Sequence, residues 1–231
     1  MKKLLFTIVF AVALCFYASG ASANGIVLNG TVADFGTGFG NVLNVLTLQN
    51  NGTEAGSVSW NGTSNVLTGD ASNTSTTQLF SDLIAKGIAS ASDLGIVYNV
   101  NQQGNLGDTT LNSFTLQVYG PTGTPGFATT TCVGCGPSFN YPPISQGTGG
   151  AGYLFILDSV ALAGLQPLFD NPDSFRLGAT GDISSSNGGP ENFFFTKISG
   201  VTPVPEPVSM MLFGTGLVGI GGYMRKKFKQ N

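Results

Sequence analysis

Apolar residues come in short runs along the chain, punctuated by Gly, Asn, Thr and Ser. Val42-Leu43-Asn44-Val45-Leu46-Thr47-Leu48 is rich in β-branched and aliphatic residues and closes on Asn50-Asn51-Gly52, which predicts a strand ending in a turn. Ser57-Val58-Ser59-Trp60 stops at Asn61-Gly62, a hairpin dipeptide whose two positions both want positive φ. Further strands are predicted over 95–100, 111–119, 153–157, 175–177 and 193–198. Leu111 to Tyr119 alternates imperfectly, as expected of a strand with one buried face. Phe193-Phe194-Phe195 cannot all point inward, because successive strand side chains face opposite ways. One ring must face out or cover a neighbouring element.

One segment departs from the period of two. Residues 77–89 place Leu79, Phe80, Leu83, Ile84 and Ile88 at helical spacing, with Thr76 or Thr77 able to cap the helix. A second short helix is expected over 159–165. Many short strands with turn signals between them predict a mainly β fold, an antiparallel, jelly-roll-like β-sandwich with one or two short helices. Only the Gly- and Pro-rich stretch 120–152 reads as a candidate for disorder.

The two ends follow other patterns. Lys2 and Lys3 precede an apolar run from Leu4 to Tyr17, and Ala21-Ser22-Ala23 supplies a small-x-small cleavage site, so residues 1–23 read as a secretory signal peptide. At the other end, Val204-Pro205-Glu206-Pro207 precedes an uncharged run over 208–224, and Arg225-Lys226-Lys227-Phe228-Lys229 follows. The prolines deny helix upstream, and Pro207 suits a first helical position. A helix over 208–224 would span roughly 25 Å, the short end of what crosses a bilayer, and its basic flank favours the cytoplasmic side. The organisation expected is therefore a signal peptide (1–23), a β-sandwich ectodomain (24–200), and a tail (201–231) with a transmembrane helix at 208–224.

Pro205-Glu206-Pro207, the Gly-rich run Gly214-Thr215-Gly216-Leu217-Val218-Gly219 and the basic stop Arg225-Lys226-Lys227 together resemble the PEP-CTERM sorting signal of Gram-negative bacteria. The resemblance covers about 28 residues of the 231. It implies an exosortase, a polytopic membrane protease-transpeptidase, as a processing partner, beside the signal peptidase that residues 1–23 call for. It further implies a transient inner-membrane intermediate and delivery to the cell surface or exopolysaccharide matrix. The chain would then be the substrate of an enzyme and not an enzyme itself. Gly214-x-Gly216-x-x-Gly219 also satisfies a dinucleotide-binding pattern, but no acidic residue follows Gly219, so the match is spurious.

Charge sharpens the picture of the ectodomain. Over 24–200 only Lys86, Arg176 and Lys197 are basic against eleven acids, a net −8, which repels nucleic acid. Cys132 and Cys135 remain after Cys15 leaves with the signal peptide, and in an oxidising compartment they are expected to form a small-loop disulfide. The sequons at Asn29, Asn51, Asn61 and Asn73 are better explained as turn chemistry.

The chain has no histidine, which excludes Ser-His-Asp and Cys-His catalysis and His-ligated metals. Three roles are carried forward for the ectodomain. The first is a non-enzymatic structural or adhesive protein of exopolysaccharide or biofilm. The second is a carbohydrate-binding module using Trp60, Tyr119 and Tyr141 beside their loops. The third is a carboxylate-only glycoside hydrolase drawing on Asp158, Asp170, Asp173, Asp182 and Glu191. No cofactor is expected; calcium is the metal that the oxygen-rich loops around Asp170 and Asp173 and over 101–108 would suit.

Overall fold

The alternation of the strands closes around one interior. The computed structural model describes residues 25–34, 42–102, 108–142 and 151–198. The signal peptide expected over 1–23, the sorting motif at Pro205 to Pro207 and Arg225 to Lys227, and the helix expected over 208–224 lie outside the described residues. Among the described residues no helix is long and apolar enough to cross a membrane.

Among the described residues thirteen strands form two sheets. The first has the order β2 (Leu43–Leu48), β13 (Glu191–Lys197), β6 (Leu94–Asn99), β11 (Ala151–Leu157), β1 (Gly25–Asp34) and β9 (Thr131–Val133). The second runs β10 (Asn140–Tyr141), β7 (Thr109–Tyr119), β12 (Arg176–Ser186), β3 (Gly52–Trp60) and β4 (Asn65–Gly69). In addition, β5 (Gln78–Leu79) pairs with β12, and β8 (Pro125–Ala128) pairs with β7. Pairing is antiparallel except between β1 and β9, which run parallel.

The sheets face each other across aromatic rings. Phe114 of β7 stacks on Phe193 of β13 with centroids 4.3 Å apart, and Phe193 stacks on Tyr98 of β6 at 4.9 Å. Tyr98 meets Tyr141 edge to face at 5.5 Å, and its hydroxyl pairs with that of Thr109 at 2.8 Å. Burial therefore comes with a satisfied polar tip, as a buried tyrosine requires. Phe193 and Phe195 point inward while Phe194 is half-buried on the other side, the split that the strand period demands.

Several elements differ from the sequence pattern, each for a local reason. The imperfect alternation of β7 is a bulge: Ser113 sits opposite Asp182 and Leu111 opposite Ile183, so Asn112 is the extra residue and both Leu111 and Phe114 stay inside. β12 extends to Ser186, well past the apolar residues that flag its start. Its middle inward positions, Ala179 and Gly181, are small where the opposite sheet is close: a Cβ on Gly181 would lie 3.2 Å from Leu46 and 3.4 Å from Phe193.

The hairpin after Trp60 forms, but as a loop of Asn61 to Ser64 in which Gly62 alone has positive φ. Asn61 instead accepts the N–H groups of Thr63 and Ser64 through its side chain. The predicted helix over 77–89 shortens to α1 (Phe80–Ala85), because residues 78–79 are taken as a strand by β12. Its entry is capped by Asp82 accepting the Leu79 N–H, not by Thr76 or Thr77. The second helix, α2 (Ser159–Leu165), matches its prediction, with Asp158 accepting from Val160 and Ala161. Within the Gly- and Pro-rich stretch 120–152, the one candidate for disorder, residues 125–141 contribute β8, β9 and β10.

Candidate functional site

The turn chemistry of two loops builds a cleft that brings Trp60 and Asp173 together. At the end of β3, Trp60 directs its indole N–H to the Pro121 carbonyl of the loop after β7, at 3.4 Å. That loop comes close enough to require glycine: Gly123 has φ of +80°, and a Cβ there would lie 2.3 Å from the Asn61 carbonyl carbon. Arg176 opens β12 and lays its guanidinium over the Trp60 ring, 4.2 Å from the centroid, while one N–H reaches the Thr77 carbonyl at 3.3 Å. Trp60, Leu79, Gly120, Pro121, Asp173, Ser174 and Arg176 line a cleft of about 200 Å³.

The cleft offers an aromatic body, a cation held flat against it and an exposed carboxylate, within one small volume. That combination suits a neutral, hydroxyl-rich molecule: the ring supplies apolar surface, and Arg176 and Asp173 supply a donor and an acceptor. Tyr119 stands beside this cleft on β7, half-buried. Burial raises its phenol above the ordinary value, and its hydrogen bond to Ser59 works in the opposite direction.

Tyr141 is corrected by the fold. It is 2% exposed, its ring packs on Tyr98 and Tyr153, and its hydroxyl donates to the Gly134 carbonyl, so it presents no face to a saccharide. Burial pushes its phenol up to about 12. The loop-side position that suggested exposure is covered by β11 and the turn carrying the cysteines.

Cys132 and Cys135 form a disulfide, with Cα atoms 5.4 Å apart. Cys132 sits in β9, not in a free loop, and the Cys135 N–H closes the turn onto the Cys132 carbonyl. The bridge thereby pins the short strand that pairs with β1.

The carboxylates disperse. Asp170 ends the 3₁₀ turn Gln166–Asp170 and Asp173 lines the cleft, and both are exposed. Among the described residues no group of three or more His, Cys, Asp or Glu is placed to hold a metal. Asp158 caps α2, and Asp182 accepts from the Asn112 side chain. Glu191 is fully buried, and its neighbour is Glu54, which the sequence pattern had not singled out. The signal was present: Glu54 is in phase with the buried Gly56 and Val58, as Glu191 is with Phe193 and Phe195. Sealed from solvent, these two acids have no access to a glycosidic bond. Arg176 was also missed; its mark was its rarity, one of three cations in the domain.

Beyond the described residues, 203–226 match the PEP-CTERM protein-sorting motif. The chain therefore carries the sorting tail that its Pro-Glu-Pro, glycine-rich and basic segments resemble. The motif marks an exported protein that passes through a membrane intermediate, is processed by an exosortase and is destined for the cell surface. No curated protein and no solved structure matches the chain.

Proposed function

We propose that the mature chain is a non-enzymatic structural or adhesive component of an exopolysaccharide or biofilm matrix, released to it after exosortase removes the C-terminal tail. The observation that carries this reading is the sorting motif over 203–226, in a chain without histidine. A β-sandwich with a surface of small polar residues and a domain charge of −8 suits a soluble component of a hydrated matrix. The test transplants 204–231 onto an inert exported reporter in an exosortase-positive host. Release of a shortened reporter to the surface is expected, and an uncleaved reporter retained in the inner membrane would overturn the sorting half.

A second reading, carbohydrate binding, is favoured by the cleft of Trp60, Arg176 and Asp173. Half-buried aromatic surface beside paired polar groups is the chemistry that sugar rings select. An exopolysaccharide pull-down comparing wild type with Trp60→Ala decides it. Equal retention of both proteins would retire the cleft as a glycan site.

A further inference from the structure

At one end of the sandwich two carboxyl groups meet between the sheets. Glu54 is the third residue of β3 in one sheet, Glu191 opens β13 in the other, and both are 0% exposed. Ser186 lies between them, its Oγ 2.9 Å from Glu54 Oε1 and 2.7 Å from Glu191 Oε2. The Asn50 N–H donates to Glu54 Oε1 at 2.9 Å, and the Gln102 amide donates to Glu191 Oε1 at 3.1 Å. Glu54 Oε2 is buried with no partner.

The backbone is bent to produce this arrangement. β12 points Ile183 inward, so simple alternation would turn Ser186 outward. A register shift between Ser184 and Ser186 reverses the phase, and Ser185 takes φ of +63°, the one positive φ among described non-glycine residues. Strain of that kind at a non-glycine residue is retained only where the surroundings over-determine it. Here its result is the hydroxyl between the two acids.

Counting hydrogens gives the rest. A serine hydroxyl has one hydrogen and can donate to one carboxylate only. The second short contact from Ser186 Oγ, 2.9 Å or 2.7 Å, then needs a hydrogen from a carboxyl group. Two ionised carboxylates in one buried site would also repel each other without a counter-ion. The titratable groups that bear on the pair are Glu54 and Glu191 themselves and Tyr98 of β6, none of them cationic; Asp70 connects through the Asn50 side chain and the Ala55 N–H.

We propose that Glu54, Ser186 and Glu191 form a proton-dependent latch, in which one proton held by the two acids joins the sheets and its loss releases that end of the fold. Burial, and then the charge of Glu54, push Glu191 up to about 8, with the Ser186 hydrogen bond opposing. The sign follows. A raised carboxyl pKa means the folded chain holds a proton that the unfolded chain has lost. Stability is therefore full below the ordinary carboxyl value and falls as pH rises through about 8.

The test is thermal unfolding of the full chain in an ester-free detergent between about pH 5 and about pH 9, with infrared difference spectra of the wild type. The wild type should lose at least about 5 °C in Tm between about pH 5 and about pH 8 and level off above, and Glu191→Gln, which keeps a donor but cannot ionise, should lose that slope. A neutral-carboxyl C=O stretch should be present near pH 7 and vanish as the alkaline limb is crossed. The infrared spectrum needs no variant, so a Glu191→Gln chain that fails to fold leaves the test intact. No neutral-carboxyl band near neutral pH would overturn the latch, as would an unchanged Tm slope in the variant. Calcium-dependent stabilisation that Glu191→Gln abolishes would overturn it too, by giving the gap to a cation.

Discussion

The guanidinium of Arg176 lies 4.2 Å from the centroid of Trp60, so the chain's single tryptophan has one face occupied by one of the domain's three cations. The pair is fixed at both ends, by Pro121 for the indole and Thr77 for the guanidinium. A saccharide at this site would meet the ring edge and the cleft between Leu79 and Pro121, not an open stacking platform. Arg176→Ala should lower unfolding stability by about 1 kcal/mol, measured by denaturant titration, through loss of the cation–π contact. On the carbohydrate reading, Trp60→Ala should weaken saccharide retention by about tenfold, roughly the worth of one aromatic contact.

The disulfide closes a loop of cysteines three residues apart. Loop-closure entropy for so short a ring gives about 2 kcal/mol. Replacing both Cys132 and Cys135 with Ser should therefore lower Tm by about 4–8 °C for a domain of this size, read by calorimetry. Among the described strands β9 pairs with β1 alone, at the edge of its sheet, so hydrogen exchange should rise first in residues 131–133.

Phe193 stands between Phe114 and Tyr98, touching both sheets. Phe193→Ala should cost about 3–5 kcal/mol, because the cavity opens where the sheets are held together. Phe194→Ala, from the half-buried side of the same strand, should cost less than about 2 kcal/mol. Equal losses would contradict the face assignment.

Asp158 supplies the only side-chain cap of α2, accepting two backbone N–H groups at 3.0 and 2.7 Å. Asp158→Ala should lower stability by about 1 kcal/mol, and Asp158→Ser should recover most of it. A catalytic aspartate would show the opposite pattern, since serine cannot replace a carboxylate in acid–base work.

Much of the fold was legible because inward positions are marked by apolar residues. The strands ending at Leu48, Tyr119 and Leu157 and the helix over 159–165 were readable for that reason. The rest of β12 was not, because a strand lying against Leu46 and Phe193 must present Gly181 and Ala179. Small inward residues look like loop. The same effect hid β8 to β10, where turns and a disulfide hold short strands that have little apolar surface of their own.

The site residues divided along the same line. Trp60 lies in a real cleft, and the cysteines pair as their number and compartment suggested. Tyr141 went inside because β10 edges the second sheet beside β7, a long-range pairing that local sequence does not encode. Arg176 and Glu54 owe their meaning to partners more than a hundred residues away in the case of Arg176 on Trp60, and of Glu54 on Glu191.

The sorting tail carries the central claim, and one measurement addresses it directly. Intact mass and C-terminal peptide mapping of the surface-associated protein should be compared between an exosortase-positive host and the same host lacking the exosortase. The account predicts a chain without peptides from the Arg225-Lys226-Lys227 end in the first case and a membrane-retained chain that keeps them in the second. A surface protein that carries its basic C-terminus in both hosts would contradict it.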